Sequence, residues 1–176
     1  TASIVLILTL LLGVLGFYSV SPAQAAYSSA LAGRESVMKV QQALIEQDFE
    51  LAENSIIEAQ NHFEDAKDSM SQLSWAGVVP GASRQYNAVN DMIDGTLLAL
   101  EAGTIGLSAG QVILEPVFGN EGASSFNDFT SEEKGEILAQ IDTVQPELEK
   151  TLLLLEDAQM KFENIPDFGV LPQISE

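Results

Sequence analysis

The first twenty residues form an uninterrupted apolar stretch, and the rest of the chain alternates apolar and polar positions with helical spacing. No charged residue occurs between positions 1 and 33. A helix of about 20 residues spans roughly 30 Å, the thickness of the hydrocarbon core of a bilayer. The pattern therefore predicts a membrane-spanning or filament-core helix over residues 1–22, with apolar positions Ile4, Val5, Leu6, Leu8, Leu11, Leu12, Val14, Leu15 and Phe17.

Three interpretations of this segment stay open. It is a retained membrane anchor, the core helix of a type IV pilin-like filament, or a signal peptide that ends near Ala23 and Ala25. Mature pilins begin directly in an apolar helix, and Pro22 and Tyr27 are similar to features of that helix. Bacterial pilins carry glutamate at the fifth position, where this chain has Val5. Only a filament of the archaeal type would tolerate that difference.

A first helical hairpin is predicted over residues 23–75. Pro22 is expected to kink or break the preceding helix, because proline lacks a backbone donor and clashes with the previous turn. Asp48 is expected to cap a second helix that follows a break at residues 46–48, and one continuous helix is the alternative. A moderate apolar stripe runs through Ala30, Val37, Val40, Leu44 and Leu51.

The helix after Asp48 has the most regular pattern in the chain. Its apolar positions alternate spacings of four and three residues, and acidic residues fill the intervals. This is typical of a narrow packing seam in an antiparallel coiled coil or bundle. The predicted helix-packing seam consists of Ala52, Ile56, Ala59, Phe63, Ala66, Met70 and Leu73.

A second long hairpin is predicted over residues 76–165, with an irregular tail at 166–176. Residues 77–81 supply a Gly-Pro turn, and Thr130 with Glu133 matches a capping box before the last helix. Pro146 is expected to bend that helix. The two stripes comprise Val89, Ile93, Thr96, Leu100, Gly103, Leu107, Gly110 and Leu114, then Ile137, Ile141, Val144, Leu148, Leu152, Leu155, Gln159, Phe162 and Ile165. The first of these helices is expected to end at Glu115 and Pro116.

The predicted fold class is all-α: an N-terminal transmembrane or assembly helix followed by an elongated antiparallel bundle of two long hairpins. The chain has 26 acidic and 7 basic residues, a formal net charge of −19, and no cysteine. Such a charge disfavours nucleic acid and anionic headgroups as partners, and it leaves divalent cations as possible weak ligands. Disulfides and thiolate chemistry are excluded.

The sequence predicts neither catalytic residues nor a cofactor or metal site. His62 is the only histidine, so no catalytic triad or histidine metal cluster can be assembled. Acid pairs such as Glu64 and Asp68 have no specificity in so acidic a chain. Residues 120–128 lack the alternating ligands of a calcium loop, so a solvated turn is favoured.

Residues 47–81 carry a family resemblance. The segments QDFELAENSIIEAQNHFEDAKDSM and VVPGASRQ resemble the start of the surface-protein family known as domain of unknown function 4012. Members have an N-terminal transmembrane helix, an alanine-patterned helix, a Pro-Gly turn and further long helices. The resemblance implies a membrane-anchored, extracytoplasmic protein and brings no catalytic residues. Residues 1–176 include neither basic residues before the apolar stretch nor a counterpart of the larger C-terminal region of that family.

The function expected is therefore that of a non-enzymatic, membrane-anchored helical protein of the cell surface with a structural or interaction role. Its N-terminal helix would contact the lipid bilayer. Its protein partner would be either a second copy of the chain, through self-association, or another surface protein. The alternative is an archaeal-type, pilin-like filament subunit in which identical N-terminal helices pack together. A sensory bundle of the chemoreceptor type would need a second span, and no later segment is predicted to be apolar enough.

Overall fold

A computed structural model describes the backbone of residues 2–118 and 129–166, and the side chains of 21–113, 129–132 and 134–166. All regular structure in those ranges is helical, which confirms the predicted all-α class. The helices are α1 (Ala2–Glu46), α2 (Phe49–Ser71), a 3₁₀ helix (Ser74–Val78), α3 (Ser83–Phe118) and α4 (Ser131–Glu163).

Helix α1 passes through Pro22 without ending and continues for 45 residues, or roughly 68 Å. The predicted break at Pro22 is therefore wrong, and the kink named as its alternative stays a prediction. A proline removes one backbone hydrogen bond from a helix, and here the turns on both sides remain helical. The nine predicted membrane or assembly residues, from Ile4 to Phe17, lie on the first part of α1, and their side chains are outside the described set.

The predicted boundary between α1 and α2 is confirmed. Gln47 has a φ of 59°, and the Asp48 N–H donates to the Ala43 carbonyl at 2.9 Å. This bond closes the end of α1, since a left-handed residue turns the chain back over its last carbonyls. The Asp48 carboxylate then accepts from the Leu51 N–H at 2.9 Å, which caps α2.

The chain between α2 and α3 turns within the region predicted from its glycines and proline. The 3₁₀ helix extends α2, and the Ser83 N–H donates to the Val79 carbonyl at 3.0 Å. Gly81 has a φ of +92°, a conformation that costs residues with a Cβ free energy. Helix α3 begins directly after this turn.

Helix α3 is longer than predicted at its C-terminal end, whereas α4 begins where the capping box predicted. Both helices continue through a proline, and the predicted bend at Pro146 stays a prediction. Helix α3 continues to Phe118, so the predicted end at Glu115 and Pro116 is wrong by two residues. Helix α4 begins at Ser131, after Thr130, and Pro146 lies inside it. The Glu133 side chain of the predicted capping box, the candidate calcium residues 120–128 and the tail from residue 167 lie outside the described set.

Helix α2 contacts both α1 and α3, and α3 contacts α4. Along each pair, rising residue numbers in one helix meet falling numbers in the next. The Ser36 hydroxyl donates to Glu58, and Glu101 accepts from Lys150. Two clusters of buried side chains join α1, α2 and α3, and they contain Ala26, Ala66, Met70, Leu73 and Ile93, then Ile56, Ala59, Phe63 and Leu100.

Candidate functional site

The seam of α2 is the structural centre of the molecule. All seven of its predicted residues are buried, and Ala52, Ala59 and Ala66 are completely inaccessible to solvent. Six of them lie in α2, and Leu73 precedes the 3₁₀ helix. Three alanines at seven-residue spacing allow a neighbouring helix to approach closely, because a methyl group is the largest obstacle at each contact.

Helix α1 meets this seam mainly with small residues and with only part of its predicted apolar stripe. Among the described side chains of α1, the buried ones are Ala26, Gly33, Ser36 and Ala43. Val37 and Leu44, which belong to the predicted stripe, are exposed, as is Leu51 at the start of α2. Ala30 and Val40 of the predicted stripe are half-buried and pack against the core clusters, so the stripe is confirmed in part. The most buried face is centred about one residue away, on small side chains.

Gly33 shows how tight this contact is. A Cβ atom placed on Gly33 would lie 2.7 Å from Cε2 of Phe63 and 2.8 Å from Cδ2 of the same ring. Distances below 3.0 Å essentially never occur for real Cβ contacts, so a side chain at position 33 would force the Phe63 ring to shift. Phe63 thus fills the space that a side chain on α1 would otherwise occupy.

Helix α3 has two packing faces, and only one follows the predicted stripe. Ile93 and Leu100 pack toward α2. On the opposite side, a Cβ on Gly95 would lie 2.9 Å from the Phe162 ring of α4. Buried small residues recur on this side every seven positions, at Ala88, Gly95, Ala102 and Ala109. That repeat is visible in the sequence, but a search for large apolar residues passes over it.

Helix α4 faces α3 with only part of its predicted stripe, which includes Phe162 beside Gly95. Ile137 and Val144 are buried as expected, but after Pro146 the buried residue is Ala158. The predicted positions Leu148, Leu152 and Leu155 are exposed. The inward residues at this end of α4 lie about one position away from the predicted ones, so a row of leucines faces solvent.

Lysine side chains form ion pairs with carboxylates of neighbouring helices. Lys67 of α2 lies 2.7 Å from Asp94 of α3, and Lys161 of α4 lies 3.3 Å from both Asp91 and Asp94. Asp94 therefore accepts from two helices at once. Two more pairs connect neighbouring helices, namely Lys39 with Glu58 at 3.5 Å and Lys150 with Glu101 at 3.1 Å.

The carboxylates of Asp91 and Asp94 raise the pKa of Lys161. Hydrogen bonds to Asp91 and then to Asp94 raise the pKa of Lys161 above its ordinary value of 10.5, against a smaller opposing effect of desolvation. Proton loss from Lys161 would leave two α3 carboxylates without this cation. The ammonium group therefore remains charged throughout the physiological range.

These ion pairs border a groove of about 490 Å³ between α2 and α4. Its floor is formed by α3, and its lining consists of Gln60, Glu64, Lys67, Asp94, Leu97, Leu98, Glu101 and Lys161. The two lysines in it are already engaged with carboxylates. The groove is lined mostly by polar side chains, and none of its lining residues forms a nucleophile–base pair. Its lysine–carboxylate pairs connect α2 and α4 to α3.

Metal ligands do not converge among the described side chains. No group of three or more histidine or acidic residues there is placed to hold an ion. His62 is partly exposed on α2, one position before the buried Phe63. The absence of catalytic residues, cofactors and metal ions stays a prediction, since residues 119–128 lie outside the described set.

Helix α3 over Ser83–Ile113 is long and apolar enough to cross a membrane, and it is the one such helix among the side chains described. The prediction that no later segment is apolar enough is therefore wrong. The core helix of a soluble body has the same length and composition. Such a core helix is mostly buried, however, and only 17% of the apolar window of α3 is buried. Asp94 and Glu101 of α3 nevertheless pair with lysines of α2 and α4.

Comparison of the chain with protein-family models, curated proteins and solved structures finds no match. The resemblance of residues 47–81 to the domain of unknown function 4012 therefore stays a prediction.

Proposed function

We propose that this protein is a non-enzymatic, membrane-anchored helical protein of the cell surface, which acts through protein contacts. The first twenty residues of α1 would hold it in the bilayer. An elongated antiparallel bundle of two hairpins, α1 with α2 and α3 with α4, would stand outside the cytoplasm. The resemblance of residues 47–81 implies the same placement.

One observation carries this proposal. Helix α1 connects an uncharged apolar segment to a packed helical body without interruption. The part from Ala26 to Ala43 packs against α2, whereas the first twenty residues supply about 30 Å of apolar helix, enough for one span. One continuous helix that contains both the apolar segment and the part packed against α2 would hold the helical body close to the bilayer.

Fractionation of cells that produce the full chain tests the anchor. We expect the protein to sediment with membranes, to resist high salt and alkaline carbonate, and to be released by detergent. A variant lacking residues 4–17 should be soluble and keep its body helicity by circular dichroism. Release of the intact protein by salt alone would contradict the anchor.

Orientation has its own test, because the chain contains no cysteine. Asn61 is exposed on α2, so Asn61→Cys creates a single accessible thiol. We expect a membrane-impermeant maleimide to label this variant on intact cells as fully as on detergent-opened cells. Labelling that occurs only after opening would place the bundle inside and contradict the surface location.

The second candidate is an archaeal-type, pilin-like filament subunit, favoured by the same passage of α1 through Pro22. An assembly helix that runs directly into its body would allow identical N-terminal helices to pack in a core. Microscopy of sheared cell surfaces separates the candidates. Fibres that disappear when the gene is deleted would favour the filament, and their absence would favour the anchored bundle.

A further inference from the structure

An unpartnered apolar face runs along α4. We call it the outer stripe, and it consists of Leu138, Ile141, Leu148, Leu152 and Leu155. These side chains are between 36% and 61% exposed. Helix α4 packs against α3 through other residues, among them Ile137, Val144 and Ala158, so the described residues leave the outer stripe uncovered.

The spacing of the outer stripe is that of a coiled-coil seam. Ile141, Leu148 and Leu155 are seven residues apart, and Leu138 and Leu152 occupy the alternate position of the same heptad. The stripe is about 27 Å long, since it covers 18 residues of helix. Gln145 occupies the alternate position between Leu138 and Leu152, so only the row Ile141, Leu148 and Leu155 is apolar at every heptad. Scattered exposed leucines are ordinary in a folded protein, but a heptad row is typical of a surface that receives another helix.

A row of acids follows the outer stripe along one edge. Asp142, Glu149, Glu156 and Glu163 are also seven residues apart, and all four are exposed. The Gln145 amide donates to Glu149 at 2.8 Å, which holds that carboxylate beside the stripe. Residues that flank a coiled-coil seam select the partner by charge, so this edge favours a helix with a basic flank.

A second copy of this chain does not provide such a flank. The chain has 7 basic residues against 26 acids, and no helix carries two bases seven residues apart. Lys39, Lys67, Lys150 and Lys161 already bridge helices within the body. Two α4 helices placed seam to seam would bring their acid rows together, and like charges oppose that arrangement.

We infer that the outer stripe of α4 docks an amphipathic helix from another protein, with apolar heptads and a flank of lysine or arginine. This inference rests on the proposed interaction function and specifies its partner. The contact would be a two-helix coiled coil added to the side of the body.

The probe is a synthetic four-heptad peptide with leucine and isoleucine in its seam and lysine on its flanks, carrying a fluorescent label. Its control has the same seam with glutamate on the flanks. The full chain in a non-ionic detergent is titrated against each peptide, and binding is followed by anisotropy. We expect saturable, equimolar binding of the lysine peptide, weaker binding at high salt, and none of the glutamate peptide.

Two variants separate the apolar and the charged contributions. L148S/L152S/L155S should weaken binding more than about thirtyfold, as loss of a central apolar cluster does. E149Q/E156Q/E163Q should weaken it about tenfold, the sum of several exposed charge pairs. The matched controls, L31S/M38S/I45S on α1 and E50Q/E53Q/D65N on α2, alter equally exposed positions and should bind as the parent does.

Equal loss of binding in the control variants would overturn the inference, because binding would then reflect total charge alone. So would a concentration-dependent dimer, in the absence of peptide, that the three α4 serine substitutions dissociate. The binding assay is carried out in detergent and does not depend on membrane insertion. A failure here therefore leaves the fractionation result, and the anchor with it, unaffected.

Discussion

Gly33 is the position at which α1 and α2 come closest. Its missing side chain leaves room for the Phe63 ring, and that ring is itself buried. Overpacking a filled site costs about 1–3 kcal/mol, whereas alanine in place of glycine favours a helix by about 1 kcal/mol. We expect the overpacking cost to exceed the gain in helix propensity, because the Phe63 ring is buried and its shift would disturb the side chains packed around it.

We predict that Gly33→Ala lowers the free energy of unfolding by about 1 kcal/mol, since overpacking exceeds the helix gain. Gly135→Ala is the matched control, because no described atom lies within 4 Å of a Cβ at Gly135 in α4. It should raise that free energy by about 0.5–1 kcal/mol. Chemical denaturation followed by circular dichroism measures both. Stabilisation by both variants would show that α1 and α2 are more loosely packed than described.

Lys161 is the residue whose protonation links α4 to α3. Its pKa is raised in the folded state, so its stabilising contribution is complete below the unfolded pKa of 10.5. That contribution is lost as the pH rises through the higher folded pKa. At neutral pH each partly exposed pair is worth about 0.2–1 kcal/mol.

We predict that Lys161→Met lowers the free energy of unfolding by about 1 kcal/mol at pH 7, as two exposed pairs would. The difference between the parent and the variant should shrink as the pH rises above 10.5, because the parent then loses its ammonium charge. Thermal unfolding at a series of alkaline pH values measures it. A difference that stays constant across that range would contradict the assigned role of the charge.

At the scale of whole helices, the seam of α2 could be predicted and the faces of α1 and α4 could not. Hydropathy identifies a buried face when large apolar residues define it, as Ile56 and Phe63 do in α2. In α1 and at the C-terminal end of α4 the buried residues are small, such as Gly33, Ser36 and Ala158. They are buried because only small side chains fit where two helices lie close together. The ion pairs of Asp94 were also beyond prediction, because they depend on how three helices are placed.

The orientation of α4 gives a prediction that compares two residues of its expected seam. Ile137 is 4% exposed and Leu152 is 61% exposed. Ile137→Ala should cost about 2–4 kcal/mol, because it empties a packed site. Leu152→Ala should change the free energy of unfolding by less than about 0.5 kcal/mol, as surface substitutions do. Denaturant titrations of both variants test this, and a larger loss at Leu152 would mean that α4 is rotated.

On the scale of the whole molecule, repulsion among acidic groups opposes the compact fold. The formal net charge is −19, and such an excess destabilises a folded chain through repulsion between its own parts. The ion pairs between helices act in the other direction, but they are few and largely exposed. Whether added salt raises or lowers the melting temperature therefore shows whether the repulsion among acidic groups or the attraction within the ion pairs is larger.

We predict that the melting temperature rises when NaCl is increased from about 10 mM to about 0.5 M, because the Debye length falls from about 30 Å to below 10 Å. Screening then weakens the long-range repulsion more than the short ion pairs. Thermal unfolding by circular dichroism measures the change, with sucrose of equal osmolality as the control. A fall in melting temperature with salt would show that the lysine pairs outweigh the repulsion.

The passage of α1 through Pro22 has a mechanical consequence. A break there would let the two parts of α1 reorient independently. Because α1 is helical on both sides of Pro22, we expect a tilt of the first twenty residues to reorient the part of α1 that carries Ala43 and packs against the α2 seam. The direction in which the acidic helices point is thereby decided by the surroundings of the first five turns.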